Sequence, residues 1–110
     1  MTIEQPNKID GLGLGRSVKE VVLMISDHLS WQDGQTHFTA LEKKIGNYLN
    51  FVKSGQILES FPHASGLPVR INLIYKYEPD APAENILQTV KRQLSEMGIT
   101  FTYEALPEKY

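Results

Sequence analysis

The feature that most constrains the fold of this chain is a nine-residue stretch, residues 69–77, in which alternate positions are apolar. The alternating apolar residues are Val69, Ile71, Leu73, Tyr75 and Tyr77. Because successive side chains of a strand point to opposite faces of a sheet, this pattern predicts a β-strand with one buried face. Such a face has to be covered by a second layer of secondary structure.

The first segment able to cover the sheet is a long amphipathic helix that runs from Trp31 to about Lys53. Its apolar residues recur at spacings of three, four and seven, which places them on one side of a helix. Ser30 and Asp33 have the residue types of a helix start, and Gly55 is the expected stop. A second helix is predicted between Pro82 and Gly98 by its apolar stripe. The stripe consists of Ile86, Leu87, Val90, Leu94 and Met97.

Four further segments are predicted as strands. Residues 18–26 are β-branched and almost continuously apolar, and residues 8–14 alternate loosely around Gly11 and Gly13, so the two segments form a plausible hairpin. Residues 56–61 are a short strand candidate that Pro62 ends, and residues 99–105 alternate as the final strand. The predicted order is β-β-α-β-β-α-β.

The sequence therefore predicts a single α+β domain over residues 1–110, with residues 1–7 and 107–110 as flexible ends. We expect two helices packed on one face of a mostly antiparallel sheet of four to five strands. Without its first strand, this order is that of the ferredoxin-like fold. That fold makes the strand at 18–26 central, so a hairpin partner would displace a neighbour, and the strand order stays open.

Length and charge narrow the classes of function. A chain of 110 residues with a formal charge of −2 lacks the basic excess typical of nucleic-acid-binding proteins. The absence of cysteine excludes disulfides, thiolate zinc sites and thiol catalysis, and it suits a reducing compartment. No secretory signal and no membrane span is recognisable in the sequence. We expect a cytoplasmic protein without cofactors that binds neither nucleic acid nor membranes.

The best candidate for chemistry is Asp27-His28, at the junction between the buried strand and the long helix. An aspartate and a histidine together can form an oriented general base, and Trp31 and His63 are candidate ligand contacts beside them. The alternative is that Asp27 and Ser30 cap the helix while His28 and Trp31 pack at its end. That alternative is favoured, so no catalytic residue is assigned.

Two other patterns are weaker. Asp33 and His37 lie four residues apart and could ligate a metal, but no third ligand is indicated, and an exposed helix pair is favoured. The glycines at 11, 13 and 15 lead into a strand instead of a helix, so a phosphate-binding loop is rejected. No metal site is predicted.

The polar side of the alternating strand is the best candidate for a partner surface. If the helices cover the apolar face, the opposite face of the antiparallel sheet can remain open to solvent. An open face that also carries an apolar isoleucine suits a dimer or partner contact. The candidate partner residues are Arg70, Asn72, Ile74 and Lys76.

Several short stretches together resemble a small bacterial family catalogued as a domain of unknown function. They are Ile3-Glu4-Gln5-Pro6 with Ile9-Asp10, Val21-Val22-Leu23, Ile25-Ser26-Asp27-His28-Leu29 with Trp31, Glu59-Ser60-Phe61-Pro62, and Tyr77-Glu78-Pro79. The resemblance implies a short bacterial protein of this single domain and transfers no catalytic role. The glycines at 11, 13 and 15 depart from the family pattern.

Two hypotheses of function follow. The leading one is a non-catalytic module that works by protein–protein contact, as an accessory protein or through homodimerisation. The alternative is a small-molecule binder or hydrolase-like enzyme that uses the Asp27-His28 junction. The lack of a recognisable catalytic set favours the first.

Overall fold

A computed structural model describes residues 11–14, 20–62 and 65–106 of the chain. These residues form four strands and three helices. The strands are β1 (Gly11–Leu14), β2 (Val21–Asp27), β3 (Val69–Tyr75) and β4 (Thr100–Ala105), and the helices are α1 (Gly34–Lys53), α2 (Gln56–Ser60) and α3 (Ala81–Glu96). The predicted α+β class is confirmed, as are the two long helices and the β1–β2 hairpin. The predicted flexible ends lie outside the described residues.

The sheet has the strand order β1-β2-β3-β4. β1 pairs antiparallel with β2, whereas β2 pairs parallel with β3 and β3 pairs parallel with β4. The two parallel connections run through α1 and α3. Because such crossovers are right-handed and both step in the same direction, they place both helices on one face of the sheet.

The expectation of a mostly antiparallel, ferredoxin-like sheet is wrong, and the reason is the segment after α1. Residues 56–61 were expected to be a strand, but Gln56–Ser60 is the short helix α2. Ile57 is buried and Phe61 packs against the core, and the Phe61 amide donates to the Ile57 carbonyl at 2.8 Å, which is the spacing and bonding of a helical turn. In the described part of this connection, the regular elements between β2 and β3 are the helices α1 and α2, and the two strands run parallel.

The core lies on one face of the sheet, between the strands and the two long helices. The strand residues with no exposed surface are Val21, Leu23, Ile25, Ile71, Leu73 and Phe101. Their partners from the helices include Leu41, Ile45 and Tyr48 of α1 and Leu87 and Leu94 of α3. We call this side the covered face. The alternation in β3 therefore predicted the buried side correctly.

Asp33, rather than Ser30, caps α1. Its carboxylate accepts hydrogen bonds from the Thr36 amide at 3.1 Å and the Thr36 hydroxyl at 2.7 Å. The hydroxyl bond, followed by the amide bond, lowers the Asp33 pKa from its ordinary value of 3.8. In the described part of the chain, none of the helices is long and apolar enough to cross a membrane.

Candidate functional site

The carboxyl ends of β2 and β3 lie at the same edge of the sheet, and a cluster of polar and aromatic side chains meets there. Asp27, the last residue of β2, and His37, in the first turns of α1, are 2% and 1% exposed. One carboxylate oxygen of Asp27 lies 2.5 Å from His37 Nε2, and the other accepts the Leu29 amide at 3.2 Å. The pair joins the sheet to the helix that covers it.

Both ring nitrogens of His37 have a hydrogen-bond partner. His37 Nδ1 lies 3.0 Å from the carbonyl oxygen of Ser30, which can only accept, so Nδ1 carries a proton. Nε2, on the other side of the ring, lies against the Asp27 carboxylate. The imidazole is thus bonded on both sides, to the Asp27 carboxylate and to a backbone carbonyl.

Trp31 packs against this pair. Its ring stacks on the His37 imidazole with a centroid distance of 3.6 Å and an interplanar angle of 14°. Its indole N–H donates to the Tyr77 carbonyl at 3.0 Å. Trp31 thereby connects the loop after β2 to the segment after β3, and it is only 8% exposed.

The predicted residues Asp27 and His28 both line one small pocket, but their side chains differ in exposure. The Asp27 carboxylate is engaged by His37 and the Leu29 amide, whereas His28 is exposed. The Asp27 side chain has no exposed surface, and its bonds connect the end of β2 to α1. Its geometry suits a structural role at the strand-to-helix junction.

A small pocket lies beside His28. It has a volume of about 140 Å³. Its lining consists of Ser26 and Asp27 at the end of β2, the following His28, Ile74 of β3, Lys76 just after it, and Leu106. Trp31 does not line this pocket, and His63, the other candidate ligand contact, lies outside the described residues.

The second candidate region is the sheet face opposite the helices, which we call the open face. It carries the strand residues between the buried ones. The apolar members are Val22, Met24 and Ile74, and the polar ones include Arg70, Asn72 and Thr102. None of these three apolar residues belongs to the core or packs against it. The predicted partner residues Arg70, Asn72 and Ile74 therefore share one surface, and Lys76 follows just past the end of β3.

The polar groups of the open face bond mainly to one another. Arg70 forms an ion pair with Glu20, with 2.8 Å between Nη2 and the carboxylate, and the Thr102 hydroxyl donates to the Asn72 side-chain oxygen at 2.8 Å. Among the described residues, the buried Nε of Arg70 has no hydrogen-bond acceptor. These pairs give the side chains of Arg70 and Asn72 fixed partners within the open face.

The sequence interpretation missed two buried residues of α1. The pair Asp33 and His37 was expected to be exposed, and for His37 this is wrong. His37 and Lys44, the latter with no exposed surface, fall on the same helical stripe as Leu41, Tyr48 and Phe51. The sequence did contain a signal for this burial, because His37 and Lys44 occupy regular positions of an apolar helical stripe. In the described part of the chain, no group of three or more potential ligands could hold a metal ion.

Comparison with known proteins assigns a family without a function. The model of a family described as "Family of unknown function (DUF6572)" matches residues 1–107. No curated protein and no solved structure matches the chain.

Proposed function

The chain belongs to this family, DUF6572, and from its residues we propose that it is a non-catalytic protein-interaction module that binds its partner through the open face. The open face is defined by Val22, Met24, Arg70, Asn72, Ile74 and Thr102. One observation carries the proposal: every strand residue of the core lies on the covered face, while apolar residues also occupy the opposite side.

The composition of the open face supports this assignment. Val22, Met24 and Ile74 are each partly exposed, and they lie beside Arg70 and Asn72. Interfaces between proteins commonly combine an apolar centre with arginine and a polar surround. The Arg70–Glu20 pair fixes the guanidinium before binding, so less side-chain entropy is lost when a partner docks.

The finer aspects of the proposal concern location and partner. We place the protein in the bacterial cytoplasm, which fits a sequence without cysteine. Its net charge of −2 argues against nucleic acid as the partner. The partner is a protein, and a second copy of the chain is the simplest case.

The test introduces a charge at the centre of the open face. Ile74→Glu places a carboxylate among the apolar residues, and Leu58→Glu, at a 42% exposed leucine of α2, is the matched control. Light scattering measures self-association, and cross-linking followed by pull-down from host lysate identifies a different partner. We expect Ile74→Glu to weaken association at least tenfold and Leu58→Glu to leave it unchanged.

Two results would contradict the proposal. One is equal association by the parent and by both variants. The other is a parent chain that stays monomeric at high concentration and captures no protein. Urea unfolding of Ile74→Glu is measured alongside, so that a loss of fold is not mistaken for a loss of binding.

A second function is favoured by the pocket beside His28. It is smaller than the roughly 300–1,000 Å³ of sites for drug-sized ligands. Ser26, His28 and Lys76 of its lining can donate hydrogen bonds to a small anion, and the carboxylate of Asp27 in the same lining is bonded to His37. We propose a carboxylate- or phosphate-containing metabolite as the alternative ligand. Nuclear magnetic resonance titrations with acetate and inorganic phosphate should shift the His28 and Lys76 signals, and a His28→Ala/Lys76→Ala variant should lose the response. Unshifted signals at millimolar anion would exclude this function.

A further inference from the structure

The outer edge of β4 is an unpaired sheet edge next to a helix. Within the described residues, β4 is the last strand of the sheet and pairs only with β3. The Leu106 amide, just past the strand, donates to the Tyr75 carbonyl of β3 at 2.9 Å. Because the bonding direction alternates along a strand, the backbone groups of Phe101, Tyr103 and Ala105 point away from β3, toward the free edge.

This edge has few of the features that usually block strand addition. Natural edge strands are often short, or carry lysine, proline or a bulge. β4 has six residues, contains neither lysine nor proline, and has one charged side chain, Glu104. The opposite edge, β1, is described over only four residues, of which Gly11 and Gly13 are two.

A groove of about 370 Å³ runs beside this edge, between β4 and α3. Gln88, Lys91, Arg92 and Ser95 of α3 form one wall, and Thr100 and Phe101 of β4 form the other. These four helix residues are exposed. The side of α3 that faces α1 is a different one, where Val90 and Met97 lie. The groove therefore lies along the outer side of the sheet.

Tyr103 fixes the distance between the helix and the free edge. Its hydroxyl donates to a Glu84 carboxylate oxygen at 2.7 Å and accepts from the Gln88 amide at 2.5 Å. Burial and the neighbouring Glu84 raise the Tyr103 pKa, so the phenol stays protonated and keeps donating at neutral pH. Both walls of the groove are thus in place before any ligand arrives.

We propose that β4 adds an extended peptide of a partner protein as a fifth strand, and that Lys91 and Arg92 bind an acidic side chain of that peptide. Strand addition beside a helix is an established way of binding peptides, in which main-chain bonds give affinity and neighbouring side chains give specificity. This site goes beyond the open-face contact, because it uses the sheet edge and the helix layer.

The charges at the groove favour a peptide over a second copy of the chain. Lys91 and Arg92 outnumber Glu96, so the lining carries a net positive charge. If β4 paired with β4 of a second copy, each chain would bring its own α3, and both sets of Lys91 and Arg92 would approach the same groove. Like charges placed opposite one another oppose association, whereas an acidic peptide without a helix of its own meets no such repulsion.

The experiment is a selection from a phage-displayed library of random ten-residue peptides on the native chain. We expect enriched sequences that alternate β-branched residues with at least one aspartate or glutamate. Synthetic versions should bind the Lys91→Glu/Arg92→Glu variant at least tenfold more weakly than the parent. The matched control is Lys43→Glu/Lys53→Glu, which makes the same charge change at two exposed lysines of α1 and should bind as the parent does.

Backbone pairing is tested by hydrogen exchange of the complex. The amides of Phe101 and Tyr103 should exchange at least tenfold more slowly when the peptide is bound, a result that charge attraction alone does not give. Ile74→Glu should leave peptide binding unchanged, which separates this site from the open face. The proposal is overturned if no peptide is enriched, if enriched peptides lack acidic residues, or if both charge variants lose binding equally.

Discussion

The two faces of one sheet differ although the same strands build them. In β2 and β3, Leu23, Ile25, Ile71 and Leu73 have no exposed surface, whereas Ile74 on the opposite side is only partly buried. Neighbouring residues along a strand therefore contribute to different properties of the protein. The covered-face residues contribute to stability through burial, and the open-face residues shape a surface. It follows that substitutions on the two faces should affect different measurements.

The polar pairs of the two faces differ in the same way. The Asp27–His37 pair of the covered face is fully enclosed and bonded to backbone groups on both sides. The Arg70–Glu20 pair of the open face remains partly exposed, so water screens it and can replace either partner. Removing one partner should be costly on the covered face and nearly neutral on the open face.

The largest effect is expected for His37→Ala. The substitution leaves the Asp27 carboxyl group buried without its partner, which costs roughly 3–5 kcal/mol in the free energy of unfolding. Urea denaturation followed by circular dichroism measures it. Arg70→Ala, the equivalent change on the open face, should cost less than about 1 kcal/mol. Equal losses for the two variants would remove the distinction between the faces.

A second expectation concerns two adjacent residues of β3. Leu73→Ala empties a fully buried site and should lower the free energy of unfolding by about 3 kcal/mol. Ile74→Ala, one residue along the chain, removes a partly exposed side chain and should cost about 1 kcal/mol or less. Both losses are measured as shifts of the urea unfolding midpoint. The slope of the unfolding free energy against urea concentration should stay the same in the two variants. A larger loss for Ile74→Ala would show that the open face is packed against another part of the chain.

The smallest effect is expected at the start of the helix that covers the sheet. The Asp33 pKa is lowered by the Thr36 bonds, so the ionised carboxylate stabilises the fold above its ordinary pKa of 3.8. That contribution is lost as the pH falls through the lower folded value. Asp33→Asn keeps a capping side chain but should make stability less dependent on pH below 4. An unchanged acid profile would contradict this role.

The alternating and helical patterns predicted most of the fold because they report burial directly. The period of two in β3 and the stripes of α1 and α3 each identify an element and its buried side. Strand direction was not predictable in this way, because it depends on whether residues 56–61 are a strand or a turn of helix. Six residues with apolar positions four apart fit both patterns, and only the packing of Ile57 and Phe61 on the core decides between them.

The buried cluster was predictable only in part. Asp27 and Trp31 were recognised as belonging to one junction, but the partner of Asp27 was assigned to the adjacent His28. His37 lies ten residues further along the chain, and the loop of residues 28–33 and the first turn of α1 bring it back to β2. A histidine on an apolar helical stripe is a signal that can now be sought in similar chains.

The parallel pairing of β2 with β3 also determines when this protein can fold. Val21 pairs with Val69 and Asp27 with Tyr75, so nearly half of the chain is synthesised between the two partners. The β1–β2 hairpin is the one pairing in the described sheet that forms between neighbouring segments. Contacts that close long loops form slowly. During synthesis on the ribosome, the apolar sides of β2 and α1 therefore stay exposed until β3 and β4 have been synthesised. A fragment that ends before β4 lacks Phe101 in its core, so both proposed binding surfaces exist only in a chain that has been completed through Ala105.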